Sequence, residues 1–449
     1  MDVLSPLSLK PLDLSVAVIG GGPTGLMAAQ VLSNLGHSVH LFDAMPSVGR
    51  KFLLAGRGGL NLTHSEAFAN FVDRYDEQAH QLEPILRAWG ADQMRAWAHA
   101  LGIETFIGSS GRIFPIEMKA APLLRAWLHR LRHPETGVPV EFHMRHRLTG
   151  LQAMPFDLGK GKIPESIELS FEVRDVSSQQ VQMRKVKARA LVLALGGGSW
   201  ARLGSDGAWA PWLKELGVPV TPLLPSNCGF HVTGRSGDGW TPFFLERFAG
   251  QPFKSVAIEW THFKGHAIKR QGEFVASAYG VEGSLIYSAS ADLRKTIEAH
   301  GMAEFKLDLL PDWTFEKVLQ EVSHPRGSRS LSSHLKGRLG IEGIKMAVLN
   351  ELLLPQAMQD KKQLALAIKG LSVKLSRARP MDEAISTAGG VAWDGLDTGL
   401  QTKALPGVYC AGEMLDWEAP TGGYLLTACM ATGVTAARAV HAQMLGDEP

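Results

Sequence analysis

Six residues constrain this chain more than any others: Gly20-Gly21-Gly22-Pro23-Thr24-Gly25, a G-x-G-x-x-G turn with Ala29 four residues beyond it. Alone, such a pattern is weak. Here it follows Ser15-Val16-Ala17-Val18-Ile19, an apolar run of the kind a buried parallel strand uses. It opens a helical pattern from Thr24 to Leu35, in which Leu26, Ala29, Leu32 and Leu35 recur about one turn apart and Gly36 supplies a stop. Ser38 to Asp43 then reads as a second strand, ending on an acid 18 residues after the last glycine of the motif. Strand, glycine turn, helix and strand form a βαβ unit with a dinucleotide fingerprint.

Each part of that fingerprint has a physical task. Gly20 permits the tight turn, Gly22 lets the backbone approach a pyrophosphate, and Gly25 with Ala29 allows close packing of helix on strand. The helix N-terminus offers unbonded N–H groups and the positive end of its dipole to phosphate. Asp43 can accept ribose hydroxyls.

FAD is favoured over NAD by two further segments. Gly49-Arg50-Lys51 is followed by Ala55-Gly56-Arg57-Gly58-Gly59-Leu60-Asn61-Leu62-Thr63-His64, a glycine-dense loop against which a flat ring could lie. Near the far end, Ala411-Gly412-Glu413-Met414-Leu415-Asp416 and Pro420-Thr421-Gly422-Gly423-Tyr424 open a long closing helix, Gly423 to Met444. A helix N-terminus aimed at an isoalloxazine would stabilise the negative charge of reduced flavin. A fold that binds only NAD has no use for that element.

The texture between these ends differs. Residues 81–101 and 119–132 read as helical, and Ala188 to Leu195 as a buried strand ending at Gly196-Gly197-Gly198. From about 205 to 290 the segments are short and β-prone, and from Phe315 to about Leu354 they turn helical. The expected organisation is an α/β dinucleotide domain built from 1–204 and 381–449. A β-rich domain occupies 205–312 and 356–380, with a helical insertion at 313–355.

Taken together, Val16 to Asp43, Gly49-Arg50-Lys51, Asn61-x-Thr63, Gly111-Arg112-x-Phe114-Pro115, Gly196-Gly197-Gly198, Gly389-Gly390-Val391 and Gly412-Glu413-x-x-Asp416…Thr421-Gly422-Gly423-Tyr424 resemble the BaiN/RdsA family of NAD(P)/FAD-dependent oxidoreductases. The resemblance spans nearly the whole chain. It implies a glutathione-reductase-type, Rossmann-like FAD domain interrupted by a β-barrel domain that itself carries a small helical insertion. The cofactor-binding residues expected from motif and resemblance are Gly20, Gly22, Pro23, Thr24, Gly25, Asp43, Ala44, Gly49, Arg50, Lys51, Asn61, Thr63, Leu195, Gly196, Gly412, Glu413, Asp416, Thr421, Gly422, Gly423, Tyr424 and Leu425. Many family members read Gly-Gly-Gly-Arg-Cys-Asn where this chain has Gly56-Arg57-Gly58-Gly59-Leu60-Asn61, and the loop Gly204 to Gly207 is short. Those departures fall where flavin should face substrate, so the resemblance implies a divergent branch of that family.

Candidate catalytic groups are Lys51, Arg57, Asn61 and His64. Lys51 or Arg57 could stabilise anionic reduced flavin, and His64 could move a proton near neutral pH. The plainer roles are a phosphate contact, a backbone-bonding Asn61 and a solvent-facing His64. No second strand-linked G-x-G-x-x-G occurs, so NAD(P)H would act as a diffusible donor rather than a resident. Three readings follow. The first is an NAD(P)H-driven reductase of a nucleobase, such as uridine in RNA, or of a small unsaturated acceptor. The second is an amine or amino-ketone oxidase. The third is an RNA- or protein-binding scaffold with structural FAD.

Composition narrows the setting. Lys+Arg 46 against Asp+Glu 44 gives a net charge of +2, so no global field draws the molecule to nucleic acid or membrane. Between Glu321 and Pro380, however, eleven Lys/Arg face four acids, a local +7 that suits phosphate contacts or merely a solvated face. Three scattered cysteines, Cys228, Cys410 and Cys429, argue against a disulfide framework or zinc ribbon, and no metal site is expected. No apolar run reaches membrane-spanning length, and Met1 to Asp13 lacks the features of a secretory signal, so the expected compartment is cytoplasmic.

Overall fold

The computed structural model describes residues 12–55, 58–153, 166–174, 180–235 and 237–446, which fall into two compact units. The first unit comprises residues up to Leu224 together with Ser386 onwards; the second is Pro225–Ile385. The sequence texture placed the first crossing near 205. The chain stays in the first unit longer because a short helix, Trp209–Glu215, buries Trp209 and Leu213 in that unit's core and donates Trp209 Nε1–H to the Gly196 carbonyl at 2.8 Å.

The first unit forms around a seven-stranded sheet. Strand β1 (Leu12–Ile19) pairs in parallel with β2 (Val39–Asp43), with Val16 opposite Val39 and Ile19 opposite Phe42. On its other side β1 pairs in parallel with the C-terminal half of strand Val181–Leu193. The N-terminal half of that long strand turns into an antiparallel meander with Ile167–Arg174 and His146–Ala153. Strands Glu141–Met144 and Val408–Cys410 complete the sheet. The alternation Ala17, Val18, Ile19 is buried on both faces because helices cover the parallel part, as apolar parallel strands require.

Helix α1 (Pro23–Asn34) lies between the sheet and the closing helix Tyr424–Leu445. Small residues decide how close the two helices come: a Cβ on Gly433 would sit 2.6 Å from the Thr24 carbonyl oxygen. A branched side chain there would force the two helices apart.

The second unit is built on a closed six-stranded antiparallel barrel. Phe230–Gly234, Gly280–Glu282, Ala267–Ala276, Pro252–Thr261, Ala303–Asp308 and Leu371–Ala378 follow one another around the ring, and Leu371–Ala378 pairs back onto Phe230–Gly234. Inward positions are apolar and alternate along strands, as in Ala303, Phe305 and Leu307. The register of Pro252–Thr261 shifts between Phe253 and Val256, where Ser255 takes φ +50. Helices Phe315–Ser323, Leu331–Leu339 and Gly343–Leu352 follow, as the sequence suggested. Helical structure then continues beyond 355, through Pro355–Gln359 and Lys361–Gly370.

Asp308, 2% exposed, ties this unit together. Its Oδ2 accepts from Lys269 at 2.9 Å and Lys369 at 2.8 Å, and its Oδ1 accepts from Leu310 N–H at 3.1 Å. Breaking a largely buried pair leaves an uncompensated charge, so Asp308→Ala is expected to cost roughly 3–5 kcal/mol. The urea midpoint of the full chain should fall accordingly, whereas an exposed pair such as Lys336–Glu342 can be removed with little change. Among the described residues, no helix is long and apolar enough to cross a membrane.

Candidate functional site

The G-x-G-x-x-G turn sits where β1 ends. Gly20 N–H donates to the Phe42 carbonyl at 2.8 Å, which fixes the turn against β2. A Cβ on Gly25 would lie 1.9 Å from the Gly20 carbonyl oxygen, so this position has room for hydrogen alone. Gly22 differs: its Cβ would meet nothing within 4 Å, and it caps α1 without any side-chain hydrogen bond. Pro23 fills the first helical position, Thr24 is buried behind it, and no acid occupies the first turn. A helix start with open space and no competing anion is a ready site for phosphate.

Asp43 stands beside it. Its Oδ2 accepts from Gly21 N–H at 2.6 Å and its Oδ1 from Met45 N–H at 2.7 Å, leaving each oxygen capacity for a hydroxyl. Burial pushes its carboxyl above the usual range, against the pull of those two donors and of Arg50. A small cavity of about 90 Å³ adjoins, lined in part by Gly20, Asp43, Ala44, Leu195, Arg147 and Trp209. The Gly196 carbonyl accepts from the Nε1–H of Trp209, which is part of that lining.

The second half of the site is a polar cluster assembled from four distant segments. Gly49 N–H donates to Gly21 O at 2.8 Å, which docks helix α2 (Arg50–Ala55) onto the motif. From α2, Lys51 Nζ reaches Glu413 at 2.7 and 3.0 Å and Ser199 Oγ at 2.9 Å. Glu413 Oε1 also accepts from Thr387 N–H at 3.2 Å. Thr387 Oγ1 accepts from Gly198 N–H at 2.9 Å and Ser199 N–H at 3.2 Å. The sequence reading named Lys51 and Glu413 but neither Ser199 nor Thr387. Their only signal was adjacency to Gly196-Gly197-Gly198 and to Gly389-Gly390.

The closing helix begins against the glycine-dense loop. Gly423 has φ +90, and a Cβ there would lie 2.4 Å from Thr63 Cα. Thr427 Oγ1 bonds Thr63 Oγ1 at 2.9 Å, holding the two segments together. Gly412 packs on Thr24 and donates its N–H to Thr432 Oγ1 at 2.9 Å. Tyr424 is 4% exposed; its hydroxyl bonds Glu66, its carbonyl accepts from Tyr75, and its ring stacks on His64 with centroids 5.5 Å apart. Burial pushes the Tyr424 phenol well up, and paired Arg74 holds the Glu66 carboxyl down despite its own burial.

The remaining expected residues fall in several places. Asn61 Oδ1 and Arg50 Nε are buried atoms with no hydrogen-bond partner, a state native proteins rarely tolerate unless a ligand completes it. His64 has both ring nitrogens engaged: Nδ1 accepts from Glu66 N–H at 3.1 Å, so Nε2–H donates to the Ser110 carbonyl at 3.0 Å. Asp416 is turned toward Thr221, whose hydroxyl donates to it at 2.7 Å, and burial pushes its carboxyl up. Gly422 has φ +149 beside the Tyr424 ring; Thr421 and Leu425 are half-buried at the start of the same helix. Arg57 lies outside the described residues. Leu60, standing at the family's cysteine position, is packed in the core at 1% exposure. Burial pushes the Cys410 and Cys429 thiols up to about 12, far from a reactive range.

These residues fit FAD. The uncapped helix start and open Gly22 suit its pyrophosphate, Asp43 its ribose, and the unpaired Asn61 and Arg50 atoms its polar edges. Fold and site together define an FAD-dependent oxidoreductase.

The chain belongs to the HI0933-like family, the BaiN/RdsA group: residues 14–439 match the family described as "HI0933-like protein Rossmann domain". It is 24% identical over 445 residues to a "3-dehydro-bile acid delta(4,6)-reductase" from Clostridium scindens, covering 94% of this chain and 98% of that one. It is 23% identical over 414 residues to a "Ribosomal RNA dihydrouridine synthase" from Haemophilus influenzae, covering 91% and 93%. A flavocytochrome c3 fumarate reductase in its open conformation aligns with TM-score 0.49 at 13% identity, over 97% of this chain and 79% of that one.

Proposed function

We propose that this oxidoreductase is an NAD(P)H-driven reductase of a carbon–carbon double bond in a small unsaturated acceptor. The observation that carries this reading is the Lys51 ammonium held between Ser199 and Glu413, whose own side chain is only 12% exposed. A fixed cation there stabilises negative charge that develops on reduction, without reorganisation at the moment of reaction. FAD, when bound, supplies hydride transfer. The chain's own residues position it: the start of α1 holds phosphate, Asp43 holds ribose, and the closing helix begins packed against the loop at Thr63. The names of two relatives, a bile-acid reductase and a dihydrouridine synthase, both describe saturation of a double bond.

RNA as the acceptor has weaker support. Within the basic segment, Lys336, Arg338, Lys369, Arg377 and Arg379 pair with Glu342, Glu321, Asp308, Asp238 and Glu383. Lys345 and Lys361 bond backbone carbonyls. Much of that positive charge is therefore already paired with acids or carbonyls of the chain itself.

The test is anaerobic addition of NADH or NADPH to the yellow protein, read at the flavin band near ~450 nm. Bleaching, followed by recovery of colour with a conjugated enone, is the expected result. Recovery with uridine-containing RNA alone would move the substrate to nucleic acid. A band untouched by either nicotinamide but bleached by an amine, with peroxide formed in air, would replace the reductase by an oxidase.

A further inference from the structure

We propose that a second, metal-binding site lies at the edge of the large sheet, formed by His40, Glu141 and His143 and suited to one Zn²⁺-class dication. It shares no residue with the flavin cluster and is independent of the reductase reading. β2 and the edge strand Glu141–Met144 run in parallel with His40 opposite Glu141 and Phe42 opposite His143. That register brings all three ligand-bearing side chains together. His40 Nδ1 lies 2.9 Å from His143 Nε2 and 3.5 Å from Glu141 Oε2, and the three atoms all lie within 4.8 Å of one another.

A tetrahedral zinc with bonds of about 2.0–2.1 Å separates its ligand atoms by roughly 3.3–3.4 Å. The two measured separations bracket that spacing, so small ring movements open the place for an ion. The imidazoles are already aligned: His143 stacks on Phe42 with centroids 4.5 Å apart and planes 14° apart, and His40 is 8% exposed. Two imidazoles and one carboxylate are a donor set zinc uses while keeping a fourth position for water. Arg184, a nearby cation whose charge also bears on His40 and His143, donates to His146 Nε2 at 3.1 Å. In the absence of metal the two histidines share a hydrogen bond; with metal, the bridging proton shifts to the other nitrogen of its ring and both inward lone pairs are freed. Nothing along the chain links these residues, because about one hundred positions separate His40 from Glu141 and His143.

The experiment is calorimetric titration of Zn²⁺ into flavin-loaded, EDTA-treated protein. One saturating equivalent with a Kd near or below ~10 µM is expected from three preorganised ligands. His143→Ala should weaken binding by roughly 100-fold and Glu141→Gln by roughly 10-fold, with the flavin spectrum unchanged. Glu141 is exposed, so its variant retains the fold even if His143→Ala does not. The His441→Ala variant removes another close imidazole pair, His37 and His441 at 2.8 Å, and should leave the affinity unaltered. Absence of saturable binding, insensitivity to Glu141→Gln, or loss on His441→Ala would overturn the assignment.

Discussion

Gly22→Asp yields a folded, colourless protein that is at least as stable as the parent stripped of flavin. The backbone at Gly22 is extended, with φ −78, and an added Cβ meets nothing within 4 Å, so the chain itself tolerates the change. Aspartate is also a better helix N-cap than glycine by a few tenths of a kcal/mol. Its carboxylate accepts the first-turn amides of α1 and occupies the place and the field that a pyrophosphate needs. The loss of cofactor thus arises from competition rather than from misfolding. Gly25→Ala supplies the contrast, since its methyl would fall 1.9 Å from the Gly20 carbonyl oxygen and must displace backbone. That variant should melt at lower temperature before any question of flavin arises. Visible absorbance and a thermal melt on each purified protein separate the two. Stoichiometric flavin in Gly22→Asp would show that the phosphate site is elsewhere.

Lys51→Met carries the second large effect. The side chain of Glu413 is only 12% exposed, and removing the ammonium leaves it with the Thr387 N–H as its partner. The rate of flavin bleaching by NAD(P)H should fall by roughly 10²–10³-fold, the scale on which removing a single preorganised charge-stabilising donor is felt. Glu413→Gln should recover part of the stability lost in Lys51→Met, because the pair is then removed together, yet it should restore none of the rate. A double-mutant cycle measured once by melting and once by stopped-flow bleaching distinguishes the roles. If the rate stays at the parental value while stability drops, the pair serves folding alone.

The sequence made some of this legible and hid the rest for physical reasons. The β1–α1–β2 unit could be read directly because its constraints are local: strand, turn, helix cap and acid all lie between Leu12 and Asp43. The start of the closing helix was visible through glycines that turn out to need left-handed backbone, Gly423 among them. The Lys51–Ser199–Glu413–Thr387 cluster was only half visible, because its members come from separate segments and nothing along the chain links them. Charge counting along the basic segment did not register the partners of Arg377 and Arg379, because Asp238 and Glu383 lie outside it. The helical insertion was ended too early at 355. Pro355 begins a helix at its first turn, where a missing N–H costs nothing, and Asp360 caps the next by accepting from Gln363 N–H at 2.8 Å.

The interrupted construction of the first unit also sets a timetable for its birth. The ribosome releases β1, β2 and strand Val181–Leu193 early, then must make the 214 residues from 194 to 407, the whole second unit among them, before Val408–Cys410 and the closing helix emerge. At ~5–20 residues per second that interval is roughly 11–43 s. Throughout it, Val181–Leu193 exposes the edge later paired by Val408–Cys410, and the space later closed by Gly423 stays open. The glycine turn at Gly20 is therefore made long before the closing helix that packs on it, and a nascent chain stalled within the second unit carries an unpaired strand edge.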